Sequence, residues 1–173
     1  MTSIVFEGLH PDVREPQRGT AGSAGYDLAA YLTQRTVKVW RDGVAHDRPC
    51  QETNGVYTLT LTAGEKALVP LGFKIQLPAG HEAQVRPRSG TSVKTDLVIA
   101  NAPGTIDSDY AEEWCVPVKN GGAGPLVITH GDRIAQAIIA RFEVLQFEAG
   151  IVARSTDRAG GFGSTGVSNQ PTA

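Results

Sequence analysis

The chain has 173 residues and a formal net charge of −2, and this length suits a single domain with a sizeable core. The near-neutral charge argues against a broad basic face for duplex nucleic acid, although a local group of arginines and backbone N–H groups would still bind a polyphosphate. Cys50 and Cys115 lack CxxC spacing, so reduced thiols are expected rather than a zinc site. No signal peptide and no apolar run of about 18 residues is recognised, and a cytoplasmic location is expected.

Short segments bounded by Gly, Pro, Asn or Asp predict a chain made mostly of β-strands. The expected strands lie at 37–40, 56–61, 67–71, 73–77, 82–86, 97–100, 114–118, 126–128 and 134–147. Residues 134–142 would also fit a helix, but their β-branched side chains and the preceding Gly-Asp turn favour a strand. One short helix is expected near Ser89, whose hydroxyl offers an N-cap after Pro87. The pattern indicates an all-β barrel or sandwich.

Five segments place turn-forming residues beside polar side chains, at 22–28, 86–90, 101–110, 131–136 and 158–166. The last is rich in Gly, Ser and Thr, so it is able to wrap phosphates, and Phe162 is able to stack on a base. Taken alone, this segment is better explained as a disordered tail, because the P-loop pattern GxxxxGK[ST] is missing. From about residue 155 onward the polar composition predicts a mobile arm.

Two of the other segments carry charged groups suited to chemistry. Arg88 and Ser89 at a helix start suit an anion, although an ordinary helix cap has the same pattern. Residues 101–110 are a β-hairpin candidate in which Asp107 and Asp109 share one side, either to bind a metal or activate water, or as solvated acids. Gly131-Asp132-Arg133 alone indicates a surface turn with a local ion pair. No histidine or GxSxG pattern supports a serine or cysteine nucleophile.

In this order, GSAGYDL, PRSG, NAPGTIDSDY, GDRIAQ and GGFGSTG resemble the five motifs of the homotrimeric dUTP diphosphatase (dUTPase) family, over about residues 13–166. The resemblance implies a jelly-roll-like β-barrel that assembles as a homotrimer with active sites between subunits. It implies hydrolysis of dUTP to dUMP and pyrophosphate, which limits uracil incorporation into DNA and supplies dUMP for thymidylate synthesis. The cofactor implied is Mg²⁺, held chiefly by phosphates and waters. No nucleic-acid or membrane partner is expected.

The resemblance also assigns roles to residues by their position in the motifs. Asp107 corresponds to the residue that orients and deprotonates the attacking water, and Tyr110 to the platform under the deoxyribose that excludes a 2′-hydroxyl. Asp27 corresponds to a carboxylate that contacts a metal-bound water. The uracil readers implied are Asn101, Gly104, Thr105 and Ile106. The phosphate-side contacts implied are Arg88, Ser89, Gly90 and Gln136. The arm residues implied to close over base and γ-phosphate are Arg158, Phe162, Gly163, Ser164 and Thr165.

The sequence departs from the family pattern at several points. Glu112 replaces the usual Gly after the motif tyrosine, and Asp96 stands where the family often has a Gly with φ > 0. Arg158 lies one residue closer than usual to the following glycines, so Arg154 is an alternative for its role. About 25 extra residues near 33–58 predict an added hairpin, either a plain surface excursion, which is favoured, or a surface for a protein partner. The expected domains are a barrel at 1–152 and an arm at 153–173.

Two other functions are consistent with the same fold. One is a dCTP deaminase-type enzyme, but deaminases usually have Pro-Gly after the first motif aspartate, whereas Ser108 and Asp109 follow Asp107 here. The other is a non-enzymatic regulatory binding protein that uses the insertion as a partner surface. Turnover of dUTP with Mg²⁺ discriminates the enzyme from the binding protein.

Overall fold

The computed structural model describes residues 3–157, which form fourteen β-strands and one short helix. The strands are β1 (Val5–Gly8), β2 (Tyr26–Ala29), β3 (Thr36–Arg41), β4 (Val44–Pro49), β5 (Gln51–Thr53), β6 (Val56–Leu61), β7 (Lys66–Pro70), β8 (Phe73–Gln76), β9 (His81–Arg86), β10 (Leu97–Ile99), β11 (Gly104–Ile106), β12 (Cys115–Asn120), β13 (Leu126–Thr129) and β14 (Arg133–Arg141). The helix is α1 (Ser89–Lys94), which is too short to cross a membrane. The prediction of an all-β chain is confirmed.

The strands pair antiparallel into four sheets. The largest has the order β10-β12-β7-β3-β4, and the second has the order β11-β9-β14-β2. The smaller sheets are β13-β6-β5 and β1-β8. In β12, Val116 and Val118 are buried while Cys115, Pro117 and Lys119 are partly exposed, so one face of this strand builds the core. Each fully buried aliphatic side chain of this kind stabilises the fold by about 1.5–3 kcal/mol.

The strand predicted at 134–147 is confirmed only in part. β14 covers Arg133–Arg141, which agrees with the choice of strand over helix. Its last pair with β9 is Arg141 opposite His81, the first residue of β9. The partner strand ends there, so residues 142–147 have no ladder to join, and their prediction as strand was wrong.

Three local predictions were also wrong. The N-cap of α1 is Arg88, in extended conformation and without a side-chain cap bond, because Ser89 is already the first helical residue. Residues 101–110 do not form a hairpin, since β10 pairs with β12 whereas β11 pairs with β9 in another sheet. Asp96 does not have positive φ, because it leads directly into the extended backbone of β10.

The chain divides after Glu143 into two units, which are described separately. The first unit holds every strand and the helix of the described chain. Of the second unit, the described residues 144–157 contain neither helix nor strand, and Arg154 is exposed within them. Arg158, Phe162, Gly163, Ser164 and Thr165 lie outside the described residues.

The stretch 33–58 is built into two sheets. β3 and β4 form a hairpin whose turn residues Asp42 and Gly43 have φ of 51° and 82°, the values that a two-residue type I′ turn requires. β3 also pairs with β7, and its Val37 and Val39 are buried in the core. β5 adds an edge to β6 through the equivalent turn. The stretch therefore contributes to the core as well as to the surface.

A buried ion pair attaches β4 to the rest of the domain. Arg48 donates to both carboxylate oxygens of Glu65, at 2.7 Å each, and to the carbonyl of Thr60 at 2.7 Å. Glu65 is 2% exposed, and it also accepts the Thr62 N–H at 2.8 Å. The Arg48 hydrogen bonds lower the pKa of Glu65 to about 2, although burial acts against them. The Glu65 carboxylate therefore depends on Arg48 to remain charged inside the protein.

We expect Arg48→Met to lower the free energy of unfolding by about 2–4 kcal/mol, because Glu65 would keep only the Thr62 N–H. Denaturant unfolding near neutral pH measures this loss. The control is Lys38→Met, which removes a 3.2 Å pair with Asp47 in the same hairpin whose side chains are 59% and 63% exposed. That exposed pair should contribute about 0–1 kcal/mol.

The loss should depend on pH. Because the folded pKa of Glu65 is about 2 and its ordinary value is 4.5, the pair's contribution is fully present above 4.5 and is lost as pH falls toward 2. The stability gap between the wild-type protein and Arg48→Met should therefore shrink across that window. A difference in free energy of unfolding that stays constant down to about pH 2 would contradict the role of the Arg48–Glu65 pair.

Candidate functional site

The register of β14 brings three of the polar sequence segments together. Gln136 on β14 lies opposite Asp27 on β2 and, on its other side, opposite Arg86 on β9. Arg86 leads through Pro87 into Arg88 and α1. Segments that are far apart in sequence thus meet across the adjacent strands β9, β14 and β2 of the second sheet, as the antiparallel ladder requires.

Asp27 is the centre of this meeting point. Its Oδ1 accepts a hydrogen bond from Arg88 Nε at 2.7 Å, and its Oδ2 accepts one from Arg133 at 2.9 Å. The carboxylate therefore lies between two guanidinium groups, and both pairs are charge-assisted. We call Asp27, Arg88, Arg133 and Gln136 the Asp27 group.

Arg133 was missed by the sequence analysis, which assigned the Gly-Asp-Arg turn a local ion pair. The acid of that turn, Asp132, instead accepts the Thr129 N–H at 2.8 Å, while Arg133 pairs with Asp27. Strict alternation along β14 would place Arg133 and Gln136, three residues apart, on opposite faces, and the sequence carried no signal for the register shift between Arg133 and Ala135 that interrupts it. The partner of Arg133 was not predictable, because it lies in another strand far along the chain.

Gln136 is fixed in place by two features of the Asp27 group's surroundings. Its Nε2 donates to the carbonyl of Pro87 at 2.9 Å. A Cβ atom at Gly25 would overlap the Gln136 side-chain oxygen, so glycine at this position leaves room for the observed orientation of Gln136. Beside it, Ser89 and Gly90 are exposed at the start of α1, where backbone N–H groups have no intrahelical partner. The Asp27 group thus offers cations and N–H donors to an anion.

The remaining predicted site residues of the described chain line a separate cavity of about 270 Å³, which we call the loop cavity. The predicted site residues in its lining are Asn101, Gly104, Thr105, Ile106, Asp107 and Tyr110, and the polar side chains among them are those of Asn101, Thr105, Asp107 and Tyr110. Its apolar lining comes from Leu68, Val85, Cys115 and Pro117. Such a mixture of an apolar wall and a few convergent polar groups is typical of a small-molecule site.

Asp107 and Tyr110 belong to one tight turn beside the loop cavity. The Tyr110 N–H donates to the carbonyl of Asp107 at 3.2 Å. The Tyr110 hydroxyl donates to the carbonyl of Glu113 at 3.3 Å. Burial raises the pKa of Tyr110, and Cys115, Glu112 and Glu113 raise it further, so the hydroxyl stays protonated as a donor. Asp107 itself is exposed.

The loop cavity and the Asp27 group do not share a cavity within one chain. Asp27 and Arg133 line a different cavity, of about 380 Å³, to which the loop cavity contributes no residue. The structure therefore assembles the predicted residues into two partial sites.

The side chains near Asp27 indicate how a Mg²⁺ ion could be bound there. Within residues 3–157, no three His, Cys, Asp or Glu side chains come together as a metal cage. Mg²⁺ often takes most of its ligands from substrate phosphates and waters, with one or two carboxylates nearby. The single carboxylate of Asp27, beside the guanidinium groups of Arg88 and Arg133 that can donate to phosphate, fits that kind of binding.

Comparison with known proteins gives three results. Residues 55–166 match the dUTPase family. The deoxyuridine 5'-triphosphate nucleotidohydrolase of Rhizobium meliloti (strain 1021) is 43% identical over 153 residues, which cover 88% of this chain and 82% of that protein. A variant of the Staphylococcus bacteriophage 80alpha dUTPase with dUpNHpp superposes with a TM-score of 0.74 at 23% identity, covering 96% of this chain and 100% of that one.

A second similar solved structure is described for its bound metal ion. It is a variant dUTPase from phage phi11 of S. aureus, described for its coordination of a structural Mg(II) ion. Its TM-score is 0.68 at 21% identity, with 88% of this chain and 99% of that chain covered. At this identity the likeness supports the shared fold.

We expect Cys115 to react slowly with thiol reagents. Burial raises its pKa to about 11, and the nearby Glu113 carboxylate adds to the shift. Since only the thiolate is nucleophilic, the alkylation rate should still be rising at about pH 10. Mass spectrometry after iodoacetamide treatment distinguishes Cys115 from Cys50. A rate that levels off near the ordinary thiol value of 9.0 would contradict this expectation.

Proposed function

The chain belongs to the dUTPase family, and we propose that it hydrolyses dUTP to dUMP and pyrophosphate. The observation that carries the proposal is the loop cavity, in which an amide, a carboxylate and a phenol surround a space of about 270 Å³. An amide to read a base, a ring to pack on a sugar and an acid to activate water are the groups that this reaction needs.

The nucleoside half of dUTP is assigned to the loop cavity. Asn101 and the backbone of Gly104, Thr105 and Ile106 read the uracil edge, because amide and peptide groups offer both donors and acceptors. Tyr110 lies under the deoxyribose. A 2′-hydroxyl would meet the ring without a hydrogen-bond partner, so the site selects a deoxynucleotide.

The triphosphate half is assigned to the Asp27 group and the start of α1. Arg88, Ser89, Gly90 and Gln136 contact phosphate oxygens, and Arg133 adds a second guanidinium to the same place. Asp27 keeps the two arginines paired before substrate arrives. When Mg²⁺ is bound, Asp27 would contact one of its waters.

The separation of the two partial sites supports an assembly of at least two chains, and the assembly that we propose is a homotrimer. A dUTP molecule bound in the loop cavity of one subunit reaches the Asp27 group of a second subunit, so each complete site needs two chains. The arm of a third subunit closes the site through Arg158, Phe162, Gly163, Ser164 and Thr165, with Arg154 as the alternative for Arg158. These residues begin just beyond the described chain, and their composition suits phosphate and base contacts. The barrel and arm boundaries of 1–152 and 153–173 belong to this proposal.

The mechanism is an in-line attack of water on the α-phosphorus. Asp107 accepts a proton from the water as its oxygen bonds to phosphorus, while the bond to the bridging oxygen breaks and pyrophosphate leaves. Arg88 and the N–H groups at the start of α1 stabilise the charge that develops on the phosphate oxygens. When bound, Mg²⁺ supplies Lewis-acid stabilisation of that charge, and Asp27 would hold it through a water.

In the cell, this reaction limits uracil incorporation into DNA and supplies dUMP for thymidylate synthesis. The proposed location is the cytoplasm, where both substrate and product are used. A protein-binding role of 33–58 stays a prediction, beside the contribution to the core that its buried Val37 and Val39 make.

We expect Asp107→Asn to bind dUTP but to lose about 10²–10⁴-fold in kcat, because an amide does not accept the proton from water. The matched control is Asp109→Asn, which removes an exposed carboxylate two residues away in the same loop. Steady-state pyrophosphate release measures both variants. A near-normal kcat in Asp107→Asn, or an equal loss in the control, would remove Asp107 from its role.

Sugar discrimination should depend on Tyr110. Burying the 2′-hydroxyl of UTP without a hydrogen-bond partner would cost about 1–3 kcal/mol of binding free energy. Steric overlap with the Tyr110 ring would add to this cost. We therefore expect a large dUTP:UTP ratio of kcat/KM, which Tyr110→Ala should narrow, mainly by harming dUTP, while dCTP stays excluded. An unchanged ratio in the variant would contradict the role of Tyr110. Ready deamination of dCTP by the wild-type protein would instead indicate the deaminase function.

A further inference from the structure

Glu113 links the turn that carries Tyr110 to the insertion at 33–58. Its carboxylate forms an ion pair with Arg35 and accepts the Gly72 N–H at 2.9 Å. Its backbone carbonyl accepts the Tyr110 hydroxyl at 3.3 Å. One residue thus contacts the proposed sugar platform through its main chain and the rest of the domain through its side chain.

Arg35 stands where the inserted hairpin joins the barrel. It directly precedes β3, and its carbonyl accepts the Cys50 N–H at 2.9 Å, just after β4 ends. Its own N–H donates to the Leu32 carbonyl at 3.2 Å. Its guanidinium also lies 3.4 Å from His10 Nε2. The backbone of Arg35 is therefore held on both sides, which limits the positions that its side chain can take.

The Arg35–Glu113 pair is sheltered from water. The two side chains are 26% and 20% exposed, whereas the Lys38–Asp47 pair of the same insertion is more than half exposed at both ends. A sheltered pair is screened less by solvent and salt, so it holds its geometry more firmly than the exposed pair. Without Arg35, the Glu113 carboxylate would keep the Gly72 N–H as its only donor within the hydrogen-bond network described above.

We propose that Arg35 is a positioning residue that, through Glu113, holds the turn 107–113 and the ring of Tyr110 in the orientation that rejects a 2′-hydroxyl. This inference rests on the proposed function of Tyr110. It assigns the insertion a role in substrate selection, because its first segment supplies the cation. Arg35 does not touch the substrate in this account.

The experiment compares Arg35→Met, which keeps the apolar stem and removes the charge, with Lys38→Met as the matched control. Arg35→Lys tests rescue, since an ammonium restores the charge but only part of the geometry. For each variant, kcat and KM are measured for dUTP and UTP. Amide hydrogen exchange of residues 107–113 is measured on the full-length protein without ligand, and thermal unfolding verifies that each variant is folded.

For Arg35→Met we expect the dUTP:UTP ratio of kcat/KM to fall by about tenfold, less than the roughly hundredfold that a 1 Å misplacement can cause. KM for dUTP should rise more than kcat falls, because Asp107 is retained. Exchange in 107–113 should be faster in Arg35→Met, intermediate in Arg35→Lys and unchanged in Lys38→Met. This pattern would support the proposal.

Two results would overturn it. One is an unchanged dUTP:UTP ratio in a folded Arg35→Met, and the other is unchanged exchange in 107–113. A wild-type protein without dUTP turnover would refute the proposed function instead, and the exchange data would then still decide whether Arg35 holds the turn.

Discussion

The pairing of β14 with β2 on one side and β9 on the other is the constraint on which the site depends. Because Gln136 lies opposite both Asp27 and Arg86, a one-residue slip would turn its side chain to the other face of the sheet. Arg88 and Arg133 would then no longer meet at the Asp27 carboxylate. The buried residues of β14, such as Ala135 and Ala137, enforce the register, since the same slip would expose them. The same register of β14 with β2 and β9 therefore determines both the packing of the core and the geometry of the Asp27 group.

Local sequence signals predicted the elements well where local chemistry decides them. β-branched residues after a turn identified β14 as a strand, and the polar segments predicted residues that the structure places beside the loop cavity, as Asp107, or in the Asp27 group, as Arg88 and Gln136. The errors arose where a distant partner decides. The end of β14 is set by the end of β9, and the sheet that β11 joins is set by β9 as well. The Arg133–Asp27 pair spans two strands in the same way, so neither residue's neighbours indicate it.

Ion pairs in this domain differ according to their shelter from water. Arg48 keeps the buried Glu65 charged and attaches β4 to the β6–β7 connection. Asp27 divides its carboxylate between two arginines, and Arg133 is 60% exposed, so an anion can take over one guanidinium while the other still pairs with Asp27. A fully buried arrangement would make that exchange slow and costly, because a charge would have to leave its partner without water to replace it. The burial of the carboxylate, 2% exposed in Glu65 and 21% in Asp27, thus distinguishes the Arg48–Glu65 pair from the pairs on Asp27.

The hydrogen bond between the Cys50 N–H and the Arg35 carbonyl brings the two ends of the β3–β4 hairpin to adjacent positions. A chain that joined these ends directly would follow nearly the same path through the barrel. The hairpin also closes through its own two-residue turn, so its contacts are local and the entropy of forming it is small. In evolutionary terms the hairpin enters and leaves the chain at a single point, but a lineage that lost it would also lose the core contacts of Val37 and Val39 and the Arg48 partner of Glu65.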